Sequence, residues 1–217
     1  MTAVLFDMDG TLLDTVKDLG DAMNYALEKE GFPTHPLDAY RYFLGDGIDF
    51  LVRRSMPKDL VEDEVVRKRL AKLHCEAYEK NWHSETKPYE GIPELLKELA
   101  KRKIPMAILS NKLDEFVGRV TKHYFPDIHF SDVRGLRSNW LRKPDPAAAL
   151  DIAKQLNIPT SQWLYLGDTD TDMKTAVGAG MQPIGVLWGF RPMAELVDAG
   201  ASILLASPKD LLDFIAV

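Results

Sequence analysis

Short apolar runs alternate with amphipathic stretches along most of the chain. Ala3–Phe6 is apolar at every position and stops abruptly at Asp7, and Pro105–Leu109, Trp163–Leu166, Pro183–Val186 and Ile203–Leu205 repeat the pattern. Short runs without a polar face read as strands buried on both sides, as in a parallel sheet. Between them lie helical patterns at Ile92–Lys101, Asp114–Lys122, Pro146–Leu156, Asp172–Ala179 and Pro208–Ile215. Strand alternating with helix predicts an α/β fold, a doubly wound, Rossmann-like parallel sheet.

The alternation breaks once. From about Val16 to Trp82 only helical patterns occur. Val16–Glu30 is closed by Gly31 and Pro33, and Ile48–Met56 by Pro57. Val61–Tyr78 sets Val65, Val66, Leu70, Leu73 and Ala77 on one face. The expected organisation is a catalytic core of residues 1–14 and 84–217 with an inserted all-helical cap, 15–83. Thr86–Tyr89 would lead the chain back into the core.

Polar clusters stand where the predicted strands end, which is where open α/β sheets bind ligands. Asp7 and Asp9 are two apart in an extended segment, so their carboxylates point roughly the same way. One suits a nucleophile and the other proton transfer. Gly10 lets the backbone approach a phosphate, with Thr11 next to it; a solvated Asp-Gly turn fits the same residues. Ser110 and Asn111 end the next run and offer a hydroxyl and an N–H to phosphate oxygens, or a plain helix cap. Lys143, before Pro144-Asp145-Pro146, can neutralise phosphate and nucleophile charge, or can simply lie on the surface. Asp168, Asp170 and Asp172 crowd one strand end and repel unless a cation sits among them. With phosphate near, that cation is Mg²⁺; a solvated acidic loop is the alternative. In the predicted cap, Gly45-Asp46-Gly47 suits a closing lid. Arg53 and Arg54 follow it, either to pair with a substrate carboxylate or as solvated arginines at a helix junction. The Trp188-Gly189-Phe190-Arg191 loop either shapes the entrance or only packs. The five histidines show no ligand spacing.

Composition narrows the partners. The net charge is −6, which argues against nucleic acid, whose backbone needs clustered Lys and Arg. No apolar run reaches the roughly 18 residues of a membrane span, the N-terminus lacks the features of a signal peptide, and the lone Cys75 permits no internal disulfide. A cytoplasmic monomer or homodimer acting on a small phosphate ester is expected.

The ordered set Asp7-x-Asp9-Gly10-Thr11, Ser110, Lys143 and Gly167-Asp168-x-x-x-Asp172 resembles the four motifs of the haloacid dehalogenase superfamily of phosphatases, across nearly the whole chain. The resemblance implies that Asp7 becomes a phospho-aspartate and that Asp9 protonates the leaving alcohol and then deprotonates water. It implies that Ser110 and Lys143 hold the phosphoryl group. Mg²⁺ would be held by Asp7, the Asp9 carbonyl and Asp168, with Asp172 in support. Asp9 separates the chain from dehalogenases and Thr11 from sugar-phosphate mutases, which usually carry Val there. Leu44-Gly-Asp-Gly-Ile, Thr86-Lys-Pro-Tyr-Glu-Gly-Ile, Ser110-Asn-Lys and Gly185-Val-Leu-Trp-Gly-Phe-Arg resemble the phosphoglycolate phosphatase branch. Glu90, in place of a usual Pro, and the stretch Arg134 to Leu141 depart from it. The implied activity is hydrolysis of a small monoester such as 2-phosphoglycolate; pyrophosphate, nucleotides and sugar phosphates are alternatives on the same machinery, and a silent binding protein is the reading from another class.

Overall fold

The computed structural model describes residues 2–137 and 142–215. It divides into two compact units, Met1–Leu13 with Pro88–Val217, and Asp14–Lys87. The strands are β1 (Ala3–Phe6), β2 (Leu13–Asp14), β3 (Lys87–Pro88), β4 (Met106–Leu113), β5 (Asp132–Leu136), β6 (Trp163–Gly167), β7 (Gln182–Val186) and β8 (Ile203–Leu205). The two-residue β2 and β3 lie where the chain passes between the units. The helices are α1 (Val16–Lys29), α2 (Leu37–Phe43), α3 (Ile48–Ser55), α4 (Glu64–Asn81), α5 (Ile92–Lys101), α6 (Asp114–Tyr124), α7 (Ala147–Gln155), α8 (Asp170–Ala179) and α9 (Met193–Asp198).

In the first unit six strands form one sheet in the order β5-β4-β1-β6-β7-β8, parallel at every pairing. All four residues of β1 are fully buried, since β1 pairs with β4 on one side and β6 on the other and is covered on both faces. From β1 the order runs outward through β4 to β5, then returns to β6 on the opposite side. That reversal opens a crevice beyond the carboxyl ends of β1, β4 and β6. A packed cluster including Leu5, Ala107, Ile152, Trp163 and Tyr165 fixes one face of these strands.

Three elements depart from the sequence pattern. β4 does not stop at Leu109 but continues through Ser110, Asn111 and Lys112 to Leu113, with a register shift against β5. β5 was not expected, because Asp-Val-Arg-Gly-Leu lacks an apolar run. It forms at the sheet edge because Arg134, buried, is clamped by Asp132 at 2.6 Å and Asp151 at 2.7 Å. Pro208–Phe214 is a 3₁₀ helix rather than an α-helix.

The second unit holds α1 to α4. Asp63 caps α4 by accepting the N–H groups of Val65 and Val66 at 2.9 and 3.1 Å. The buried face of α4 is Val66, Leu70, His74 and Tyr78; Val65, expected to face inward, is 65% exposed. The helix begins at Glu64, later than the sequence pattern suggested, and its buried face follows an i, i+4 row of mixed polarity. α2, short and rich in aromatic and charged residues, was not anticipated. Buried Asp18 accepts the N–H of Thr86 at 2.9 Å and its hydroxyl at 2.8 Å, which fastens the end of this unit to α1. Among the described residues, no helix is long and apolar enough to cross a membrane.

Candidate active site

The site grows from the end of β1. Asp7 stands one residue past the strand, with its N–H donating to the Leu166 carbonyl of β6 at 2.9 Å. Its carboxylate receives the Lys143 ammonium at 2.8 Å, and the same ammonium reaches Asp172 at 2.6 Å. All three groups are buried. Burial pushes Asp7 up to about 7, against the pull of Lys143. Burial pulls Lys143 the other way, but Asp172 and Asp7 together hold it well above the usual lysine range, so it stays charged.

Asp168 lies in the β6–α8 turn and Asp172 in the first turn of α8. Thr169 caps α8: its hydroxyl and N–H donate to Asp172 at 2.7 and 3.1 Å, which fixes that carboxylate from behind. Asp168 accepts the Thr11 hydroxyl at 3.0 Å and the Phe190 N–H at 2.8 Å. Burial first, then the charges of Asp172 and Asp7, hold Asp168 well above the usual carboxylate range. Asp7, Asp168 and Asp172 each offer an oxygen within 4.8 Å of the others. Three buried carboxylates set against the Lys143 ammonium leave a deficit of positive charge, and an all-oxygen donor set fits Mg²⁺. Close approach is built in: a Cβ at Gly10 or Gly189 would overlap the Asp168 carboxylate, and one at Gly167 would overlap Asp172.

Asp9 is held differently. Both its oxygens receive the Lys112 ammonium, at 3.1 and 3.2 Å. Lys112 sits at the extended end of β4, and its own N–H donates to the Ser110 hydroxyl oxygen at 3.2 Å. Asn111 trades two hydrogen bonds with the Lys143 backbone, at 2.9 and 3.2 Å. The side-chain amide of Asn111 thus braces Lys143, while the phosphate contact expected of this residue is through its backbone N–H. The Gly10 and Thr11 N–H groups, expected to face a phosphate, donate within their own turn to Leu13 and Met8 at 2.8 and 3.3 Å. The Thr11 hydroxyl serves Asp168 instead.

The family model of haloacid dehalogenase-like hydrolases matches residues 4–186. The chain belongs to that family. Among relatives of this hydrolase, a phosphoglycolate phosphatase of Pseudomonas syringae pv. tomato is 34% identical over 198 residues, 88% of this chain and 72% of that protein. One from Pseudomonas putida is 34% identical over 213 residues, covering 96% and 78%. A crystal structure from Lactobacillus delbrueckii subsp. bulgaricus superposes with a TM-score of 0.91 at 30% identity, over 99% of this chain and 98% of that one.

Other residues of the hydrolase that the sequence brought forward have these partners. Arg54, expected to meet a substrate carboxylate, donates to Asp46 at 2.5 Å and to the Phe43 carbonyl at 3.1 Å, and its guanidinium lies over the Phe50 ring. It thereby ties down the turn that holds Gly45 and Gly47, both at positive φ. Asp170, given no role in the motif pattern, pairs with Lys174 on the surface of α8 and lies outside the carboxylate group. The Trp188 loop packs directly on the site: Trp188 donates to the Thr11 carbonyl at 3.0 Å, and Phe190 holds Asp168 as above. Lys112 and the Phe190 N–H received no role from sequence. The first was visible in Ser110-Asn-Lys only as a resemblance, and the second is backbone, which no motif of side chains reveals. Of the stretch Arg134 to Leu141, residues 138–141 lie outside the described residues.

Proposed function

We propose that this hydrolase is a Mg²⁺-dependent phosphatase that cleaves 2-phosphoglycolate through a phospho-aspartate on Asp7. The observation that carries the reading is the Asp7–Lys143–Asp172 arrangement: a buried carboxylate at a strand end, paired with a fixed ammonium, beside two further carboxylates suited to a metal. The names of the relatives support the substrate.

Asp7 attacks phosphorus while the bond to the alcohol oxygen breaks, and Asp9 delivers the proton that the departing alkoxide needs. A water then attacks the phosphorus of phospho-Asp7, Asp9 takes its proton, and the carboxylate is regenerated with release of phosphate. Lys143 and the Ser110 hydroxyl offset the charge of the transferring phosphoryl. Asp7, the Asp9 carbonyl and Asp168, supported by Asp172, would hold Mg²⁺, which supplies electrostatic stabilisation of the phosphoryl oxygens. Residues 15–83 act as the cap that selects the ester, with Gly45 and Arg54 shaping its loop. The test is phosphate release by the purified protein with Mg²⁺ on 2-phosphoglycolate, sugar phosphates, nucleotides and pyrophosphate, with Asp7→Asn as control. Preference for 2-phosphoglycolate, lost in the variant, is expected; activity centred on another ester would discard the substrate and keep the mechanism.

A further inference from the structure

Lys143 and Lys112 are both buried against carboxylates of the first motif, yet they do different things. Lys143 bridges Asp7 and Asp172, on the side of the nucleophile and the metal ligands. Lys112, with its side chain 6% exposed, bonds both oxygens of Asp9, the group assigned to the leaving alcohol. Lys143, with Mg²⁺ when bound, would meet the phosphoryl charge, so a second buried ammonium on the leaving-group side needs another reason. Keeping a lysine out of water is costly unless it is paired, and evolution commonly spends such a residue on ligand recognition or catalysis.

We infer that Lys112 is a specificity-determining residue that favours phosphate esters whose alcohol carries a carboxylate next to the ester carbon. The inference rests on the reading of Asp9 as the proton donor. A donor must come within about 3 Å of the leaving oxygen, and Lys112 is one hydrogen bond from that donor. In a 2-phospho-acid the carboxylate oxygens lie within about 4 Å of the same leaving oxygen, on ordinary bond lengths. The substrate carboxylate and the Lys112 ammonium are therefore brought to the same side of the same oxygen. A lysine meets them as a compact charge with rotatable donors, able to serve Asp9 and the substrate together. An ester with an uncharged alcohol has nothing for that charge to meet. Backbone geometry maintains the placement: β4 runs on past its apolar stretch to carry Lys112 there, and Gly135 of β5 leaves room for the backbone at Lys112 and Asp114.

The experiment compares 2-phosphoglycolate with ethyl phosphate, which has the same ester carbon and no carboxylate, in the wild-type protein, Lys112→Met and Lys112→Arg. Loss of Asp9 positioning costs both substrates. Loss of carboxylate recognition adds a cost for 2-phosphoglycolate alone, so the ratio of the two kcat/KM values falls about tenfold or more in Lys112→Met, chiefly through KM, and Lys112→Arg recovers most of it. A ratio within threefold of wild type in Lys112→Met overturns the inference, whatever the absolute rates. Wild-type protein that turns over both esters equally also overturns it, while leaving the Asp7 chemistry standing. Failure of all ester hydrolysis in the wild-type protein would instead strike the proposed function and take this inference with it. Should Lys112→Met not fold, competitive inhibition by glycolate against ethyl phosphate in wild type and Lys112→Arg carries the same test: inhibition no stronger than by ethylene glycol overturns it.

Discussion

The site charges of the sheet unit and the surface ion pairs of the helical unit are held in opposite ways. In the sheet unit, Asp7, Lys143, Asp168 and Asp172 are withdrawn from water and each depends on the others. In the helical unit, charged side chains pair in the open: Lys17 with Asp21, Arg69 with Glu30, Lys68 with Glu64. Arg54 lies between the extremes, a third exposed and bonded to its own loop. A buried network strands a charge when one member is removed, whereas exposed pairs exchange for water at little cost. A buried cluster of interdependent charges is suited to chemistry in a way that exposed pairs are not, and each substitution below probes one side of that contrast.

The largest effect belongs to Asp7. Asp7→Asn keeps the side chain's size and removes its nucleophilicity, so kcat should fall by about 10⁴ or more, as loss of a covalent nucleophile does elsewhere. Phosphate release checks it, and residual turnover within a hundredfold of wild type would deny Asp7 the nucleophile's role. Lys143→Met comes next. It leaves Asp7 and Asp172 buried without their shared cation, which should cost about 3–5 kcal/mol of stability by analogy with broken buried pairs, together with a rate loss of about 10². Urea unfolding with and without Mg²⁺ measures the first, since added cation should restore part of what Lys143 supplied. A variant as stable as wild type in chelator would show that the cluster does not need the ammonium.

Much of the sheet unit could be read from the chain, and the reasons are physical. β1, β6 and β7 are apolar on both faces because they are interior parallel strands, and such strands carry their own signal; β8, at the sheet edge, shows it through its short apolar run alone. Asp7 and Asp168 stood out because each directly follows a buried strand, where open α/β sheets bind ligands; Lys143 and Asp172, seven residues past β5 and inside α8, stood out only as parts of the ordered set of motifs. β5 escaped notice because its stability comes from the Arg134 clamp, whose partners Asp132 and Asp151 belong partly to α7. The face of α4 was misplaced because buried His74 and Tyr78 do not count as apolar in a hydrophobic pattern. Asn111 was assigned to phosphate through its backbone N–H at a strand end and Arg54 to a substrate carboxylate by its place after the Gly45-Asp46-Gly47 turn; what their side chains bond was not legible. Their partners, the Lys143 backbone and Asp46 with the Phe43 carbonyl, are set by the fold.

The metal prediction separates the units by pH. Asp7 lies raised near 7 and Asp168 is raised too, chiefly by burial. A raised carboxyl favours the protonated form in the folded protein, so the metal-free protein is stabilised at acid pH relative to the unfolded chain, and that advantage is lost as pH rises through about 7. Mg²⁺ binds the ionised form, so its stabilisation should run the other way. With Mg²⁺ at a hundred times its Kd near pH 8, about 2.7 kcal/mol is expected, a rise in Tm of a few degrees for a chain of this size. The rise should shrink toward pH 5.5, and Asp168→Asn should remove it at both. A Tm rise that is flat with pH, or that survives in Asp168→Asn, would move the cation away from the buried carboxylates and onto the exposed charges of the helical unit.

Arg54→Ala is the smallest and cuts closest to the contrast between the units. The side chain is partly exposed, so losing its pair with Asp46 should cost no more than about 1 kcal/mol. Its bonds hold the Gly45-Asp46-Gly47 turn, so any kinetic effect should come from a looser turn and raise KM for 2-phosphoglycolate and ethyl phosphate by the same factor. Lys112→Met is expected to separate those two substrates and Arg54→Ala to move them together. An increase in KM confined to 2-phosphoglycolate in Arg54→Ala would mean that the guanidinium leaves Asp46 for the substrate carboxylate. Recognition would then be shared between the helical unit and β4, and the inference that Lys112 alone separates the two esters would fail.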